Sequence, residues 1–144
     1  MDDSEIECAS FAELDTDTLY GLLWLRSKVF LVEQGFQYDI DDRDRESTTR
    51  HVWIAAGTRP VSTLRVLEEA DGELRIGRVC TERSSRGKGH AERLVRFVCH
   101  NNTGSIALHA QSYLLKWYEA LGFVHDGDDY MEEDTLHTPM RFVR

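Results

Sequence analysis

Arg86-Gly87-Lys88-Gly89-His90-Ala91 is the stretch whose residue types most directly imply chemistry. It follows a β-branched, apolar run from Leu74 to Thr81 that reads as a strand. It opens a helical pattern with Ala91, Leu94, Val95, Val98 and Cys99 on one face. Glycines at a strand-to-helix turn let a ligand approach the backbone, and the first helical turn leaves N–H groups unpaired. Those donors and the helix dipole together make an anion site. The local charge agrees: Arg75, Arg78, Arg83, Arg86, Lys88, Arg93 and Arg96 face only Glu82 and Glu92, in a chain of net charge −9. A phosphate-bearing ligand is the expectation.

Spacing narrows the class. A P-loop fails, because Gly89 is preceded by Lys88 and followed by His90. The dinucleotide fingerprint fails, because Glu92 stands where a third small residue is needed. Arg86-x-x-Gly89-x-Ala91 after a strand resembles the pyrophosphate motif Gln/Arg-x-x-Gly-x-Gly/Ala of the GNAT superfamily of acyl-CoA N-acyltransferases. Trp117-Tyr118 ahead of Gly122-Phe123 resembles that superfamily's second acyl-CoA motif, with Gln111 in place of the usual asparagine and Leu114 in place of alanine. Leu25-Arg26-Ser27-Lys28-Val29-Phe30-Leu31-Val32-Glu33-Gln34 resembles a run of the ElaA-like branch, as does the ending with Glu132-Glu133-Asp134, His137 and Met140.

These residues need a scaffold. At 144 residues, 41% hydrophobic and 30% charged, the chain has the length and composition of one globular domain, and residues 1–144 are read as a single GNAT domain. A ragged first strand is expected within residues 1–14, then a helix from about Asp17 to Phe30 with Asp15 or Thr16 as its cap. Its buried face is read as Leu19, Leu22, Leu23, Val29 and Phe30. Residues 35–50 read as a polar loop or short turn, either a solvated linker or a cover over a site. They are no EF-hand, since Asp44 and Arg50 occupy the positions that need glycine and glutamate. Strands follow at 50–56, 61–68 and 74–81 as an antiparallel meander, with Asp71-Gly72 turning the last hairpin. After the helix 88–100, the strand 106–110 should lie parallel to 74–81 through a right-handed crossover. A helix over 111–123 ends at Gly122, and three short antiparallel strands close the chain at 123–125, 130–132 and 135–143. The fold class is α/β (α+β). The resemblance implies a mixed, mostly antiparallel sheet with flanking helices and a splay between its two parallel strands.

The resemblance also implies roles. Main-chain atoms of Val79, Cys80 and Thr81 would hold the pantetheine arm of acetyl-CoA, and Gln111 would stand beside it. Arg86, Gly87, Lys88, Gly89, His90 and Ala91 would hold its phosphates. Direct attack by a primary amine needs a base, an oxyanion donor and an acid for the departing thiolate. Tyr118 has the family position of the acid, and a backbone N–H at Val79 or Cys80 is the simplest oxyanion donor. Glu33 and His137 are the leading bases, with Glu132 and His109 behind them. Cys80 has no paired histidine and acid in sequence to make it a nucleophile. No metal is expected.

Acids bunch at 2–17, 39–46 and 126–134, and the last two would draw a cationic amine, small or peptidic. The same field disfavours nucleic acid. No apolar run spans a membrane, no secretory signal is apparent, and Cys8, Cys80 and Cys99 make no disulfide framework, so a cytoplasmic monomer or homodimer is expected. The alternative is a non-catalytic acyl-CoA-binding regulatory module.

Overall fold

The computed structural model describes residues 5–144. The part of the first-strand expectation that falls on residues 1–4 lies outside them. Four strands form the antiparallel meander: β1 (Ile6–Ala9), β2 (Arg50–Ala56), β3 (Arg59–Glu68) and β4 (Leu74–Thr81). The crossover helix α2 (His90–His100) returns the chain to β5 (Ile106–Gln111), parallel to β4. A short α3 (Leu115–Ala120) leads to β6 (Phe123–His125), β7 (Tyr130–Glu132) and β8 (Thr135–Phe142). The sheet runs β1-β2-β3-β4-β5-β8-β6, with β7 also paired to β8.

The apolar stripe of α2 explains its docking. Leu94, Val95, Val98 and Cys99 are buried with Ile54, Leu64, Ile76 and Ile106 beneath them. Each such aliphatic side chain contributes about 1.5–3 kcal/mol on burial. A second cluster, Leu25, Val29, Phe30 and Cys80, holds the helix that precedes β2. That helix, α1 (Thr16–Arg26), starts at Asp15, whose side chain accepts from the Thr18 N–H at 2.7 Å. It then widens into a π-helical segment, Ser27–Glu33, where the Gln34 N–H reaches the Val29 carbonyl at 3.0 Å. The helix therefore runs past the expected Phe30, and its buried face is Leu22, Leu25, Arg26, Val29 and Phe30, while Leu19 and Leu23 are only half-buried. π-Segments cluster at functional sites because they redirect the side chains that follow.

The sheet opens where the resemblance implied. Pairing of β4 with β5 stops at Ile76–Leu108. The cause is a bulge in β4: Gly77 faces Arg65 and Cys80 faces Thr63, so β4 uses an extra residue, and Arg78 adopts φ +54°. A bulge adds local twist and swings the strand end aside. Arg78 is secured there by Asp41 Oδ2, which accepts from its Nη2 at 3.0 Å, and by the Tyr38 ring beneath its guanidinium.

Residues 35–50 are no solvated linker. A 3₁₀ turn over Asp42–Arg45 carries Asp44 into the interior, where Asp44 accepts from Arg26 and Arg65 at 3.0 Å. Arg26 is 1% exposed and Asp44 5%. His51 completes the network, with Arg26 Nη2 at 3.3 Å from Nδ1 and the Asp44 carbonyl at 3.0 Å from Nε2. These partners fix a neutral ring that accepts at Nδ1 and donates from Nε2. Asp41 binds Arg65 through two hydrogen bonds of 2.9 Å.

Candidate active site

The bulged end of β4, the end of β5 and the start of α2 enclose a cleft of about 410 Å³. Val79, Cys80 and Thr81 form one wall, and Gly87, Gly89, His90 and Ala91 form its far end. Gly89 sits at φ +78° as the residue before α2, and no side chain caps the helix. A Cβ on Gly87 or Gly89 would point into open space, and the buried Nδ1 of His90 has no protein partner. Unpaired donors at a helix start beside empty room are what an anionic tail requires.

Charge in this cleft is handled differently from the sequence expectation. Arg86 lines it, but its Nη1 and Nη2 donate to Glu33 Oε2 and Oε1 at 2.6 and 2.7 Å, and its Nε to the Thr81 carbonyl at 3.0 Å. Lys88 is exposed and outside the lining. The backbone therefore supplies the open donors. Glu33 is held below the usual carboxylate range, chiefly by its hydrogen bonds to Arg86. The π-segment explains its position, since it turns Glu33 and Gln34 toward the cleft, where Gln111 Nε2 meets Gln34 Oε1 at 3.3 Å.

On the other side of the splay lies a second cavity of about 470 Å³. It shares Val79, Gln111, Leu114 and Tyr118 with the first. Tyr118 is 5% exposed, packed edge-on against Trp117 and Phe123, and among the described residues its hydroxyl has no hydrogen-bond partner. Burial pushes its pKa up, so the phenol stays protonated. Cys80 is buried, and burial pushes its thiol up to about 12, which leaves no thiolate at neutral pH.

His109, Glu132 and His137 all line this second cavity, and Glu33 does not. His137 Nδ1 lies 2.9 Å from the Thr135 carbonyl, and its ring stacks on Tyr130. His109 Nδ1 lies 2.6 Å from the Tyr130 hydroxyl. Desolvation, followed by Arg75 and His137, holds the pKa of His109 below its ordinary value. Tyr130 escaped the sequence reading because it lies inside an acidic run and belongs to no motif. Of the two acidic clusters, Asp39, Glu132 and Glu133 line the cavity. Asp126 pairs with Arg141, Asp129 with His125, and Asp41 and Asp44 with the buried arginines.

Comparison with known proteins follows this geometry. The family model of the acetyltransferase (GNAT) domain matches residues 27–144. The chain belongs to the GNAT acetyltransferase family. The UPF0039 protein of Mycobacterium bovis is 42% identical over 89% of this chain and 86% of its own. Protein ElaA of Escherichia coli is 31% identical over 90% of each, and its crystal structure superposes with a TM-score of 0.89 over 96% of this chain and 99% of that one. An acyl-CoA N-acyltransferase from Pseudomonas aeruginosa, 31% identical, gives 0.90 over 96% and 98%. This GNAT chain thus has the acyl-CoA N-acyltransferase fold of its superfamily. The first cavity fits an acyl-CoA: open donors for phosphates at one end, unpaired strand edges for an amide-bearing arm along its length. Among the described residues no helix is long and apolar enough to cross a membrane.

Proposed function

We propose that the protein transfers an acetyl group from acetyl-CoA to a primary amine by direct attack in a ternary complex, with the whole chain acting as one GNAT domain. The observation that carries this reading is the meeting of two cavities at Tyr118 and Val79. The amides from Gly87 to Ala91 take the pyrophosphate, and the free edge of β4 at Val79–Thr81 takes the pantetheine arm. In the second cavity the amine, cationic at neutral pH, is drawn by Asp39, Glu132 and Glu133.

Before attack the ammonium must lose a proton. Tyr130 and His109 perform this step: Tyr130 Oη accepts the proton as its own passes to His109 Nδ1. The nitrogen then bonds to the thioester carbonyl, a backbone N–H at Val79 or Cys80 holds the oxyanion, and the C–S bond breaks. Tyr118 gives its proton to the departing thiolate and is reprotonated by the second proton that the new amide nitrogen sheds. His137 stacks on Tyr130 and orients it, and Glu33 fixes Arg86 across the cleft.

The test is CoA release and acetylated product measured against primary amines, for the parent and for Tyr118→Phe. Product formation by the parent, lost in the variant while acetyl-CoA still binds, supports the reading. Acetyl-CoA binding with no product from any amine would make the chain a regulatory module.

A further inference from the structure

Arg43, Arg65, Arg75 and Arg78 line the second cavity together with Asp39, Glu132 and Glu133. Five guanidiniums, Arg26, Arg43, Arg65, Arg75 and Arg78, share Asp41, Asp44, Glu46 and Glu69. Arg75 is the one left short. Its nearest acid, Glu69 Oε1, lies 3.9 Å from Nε and already accepts from Arg43 at 3.0 Å. Among the described residues Arg75 makes no hydrogen bond, and its buried Nε has no partner. The same is true of the Nε of Arg78 on the same wall. The Nε atoms of Arg26 and Arg65 are left the same way, but their guanidiniums are held by Asp44 and Asp41, whereas the Arg75 side chain is 41% exposed and its fork is open to an acceptor from outside the chain.

Room for that acceptor is built into the strand. Gly77 lies between Arg75 and Arg78 in the cavity lining, and a Cβ there would meet nothing within 4 Å. A glycine inside a strand often marks a close approach by a ligand.

Resting on the acyltransferase reading of the paired cavities, we infer that the acceptor amine also carries a carboxylate, which the Arg75 guanidinium binds over Gly77. The planar fork of arginine matches a carboxylate through two parallel hydrogen bonds. A monoanion suits the cavity better than a doubly charged phosphate, because Asp39, Glu132 and Glu133 stand in the same lining. Along the strand, Arg75 lies roughly 10–13 Å from Val79, where transfer takes place. Even with the Arg75 side chain covering part of that span, several bonds' length remains between the two ends of the acceptor. The substrate class is therefore a zwitterion whose amine and carboxylate stand several bonds apart, an ω-amino acid or a short peptide rather than an α-amino acid or a polyamine.

The experiment compares 6-aminohexanoate, hexylamine, 1,6-diaminohexane, glycine and an ω-aminoalkyl phosphonate as acceptors. The parent should prefer 6-aminohexanoate over hexylamine and the diamine by about tenfold or more in kcat/KM, the scale of one charge-assisted hydrogen bond. Arg75→Gln should bring that ratio toward unity, and Arg75→Lys should restore part of it. Calorimetric binding of 6-aminohexanoate to the CoA complex gives a second readout that needs no turnover, and Arg75→Gln should weaken it by a similar factor. A parent that binds 6-aminohexanoate no better than hexylamine overturns the inference, as does a preference for the diamine or the phosphonate, or a ratio unchanged in Arg75→Gln. Acylation that proceeds with the wrong acceptor preference sinks only this inference, whereas 6-aminohexanoate binding without any turnover counts against the acyltransferase reading.

Discussion

Tyr118 is buried, protonated and free of hydrogen-bond partners at the one place where both cavities touch it. Its hydroxyl is open to the cavities, where a purely structural tyrosine would have it on a protein carbonyl. Tyr118→Phe should therefore lower turnover by roughly 10²- to 10⁴-fold and leave acetyl-CoA affinity nearly intact. Single-turnover kinetics beside equilibrium binding check this, and turnover within about twofold of the parent contradicts it. Two of the four candidate bases, Glu33 and His109, separate in the same way. Glu33 is committed to Arg86 through both oxygens, so Glu33→Gln should cost less than about tenfold in kcat, whereas His109→Asn should cost about 10²-fold or more. The pKa of His109 is lowered, so kcat at saturating amine should rise with pH through a midpoint below the ordinary histidine value of 6.5. The raised pKa of Tyr118 should keep the plateau flat to pH 10. A kcat that still climbs steeply above neutrality contradicts His109 as the base.

The π-segment, the β4 bulge and the anchored 3₁₀ turn are the elements that make the site, and they were not equally legible. The meander, the crossover to β5 and α2 follow from alternation, Asp71-Gly72 and a clear apolar stripe, and they fall within two residues of expectation. The Gly87–Ala91 turn was readable for the same local reason. The π-segment was not, because its backbone widening depends on the packing of Leu25, Val29 and Phe30 against Cys80 rather than on any residue preference. Nor was the burial of Arg26, a charge that enters the core only because Asp44, distant in sequence, meets it there. Neutralising that acid tests the anchoring. Asp44→Asn leaves Arg26 and Arg65 without their shared charge and should destabilise the protein by about 3–5 kcal/mol, read from denaturant unfolding. A loss below about 1 kcal/mol, the value of a surface pair, would show the turn to be dispensable.

For the molecule as a whole, the sheet opens two cavities side by side and holds a buried network of arginines, aspartates and His51 beneath them. Burial lowers the pKa of His51, with Arg26 adding to the effect, so the folded state binds fewer protons there than the unfolded chain. Stability should be at its full value above 6.5 and fall as pH drops below it, with His109 contributing in the same direction. Asp41, held down to about 2 by Arg65 and Arg78 against the opposing effect of burial, stays ionised throughout that window. Unfolding midpoints between pH 5 and 7.5 should therefore show a shallower slope in His51→Gln than in the parent, and an unchanged slope contradicts the assignment. The central claim is that acyl donor and acceptor occupy separate cavities meeting at Tyr118 and Val79. Initial-rate kinetics with both substrates varied, run on the parent, Gly89→Glu and Gly77→Val, test it most directly. Gly89→Glu puts a carboxylate against the open amides and should raise KM for acetyl-CoA by about tenfold or more, leaving the KM of the amine within about twofold. Gly77→Val fills the acceptor cavity and should do the reverse. Intersecting lines with these crossed effects are the predicted result; parallel lines, or two variants that weaken the same substrate, would contradict the account.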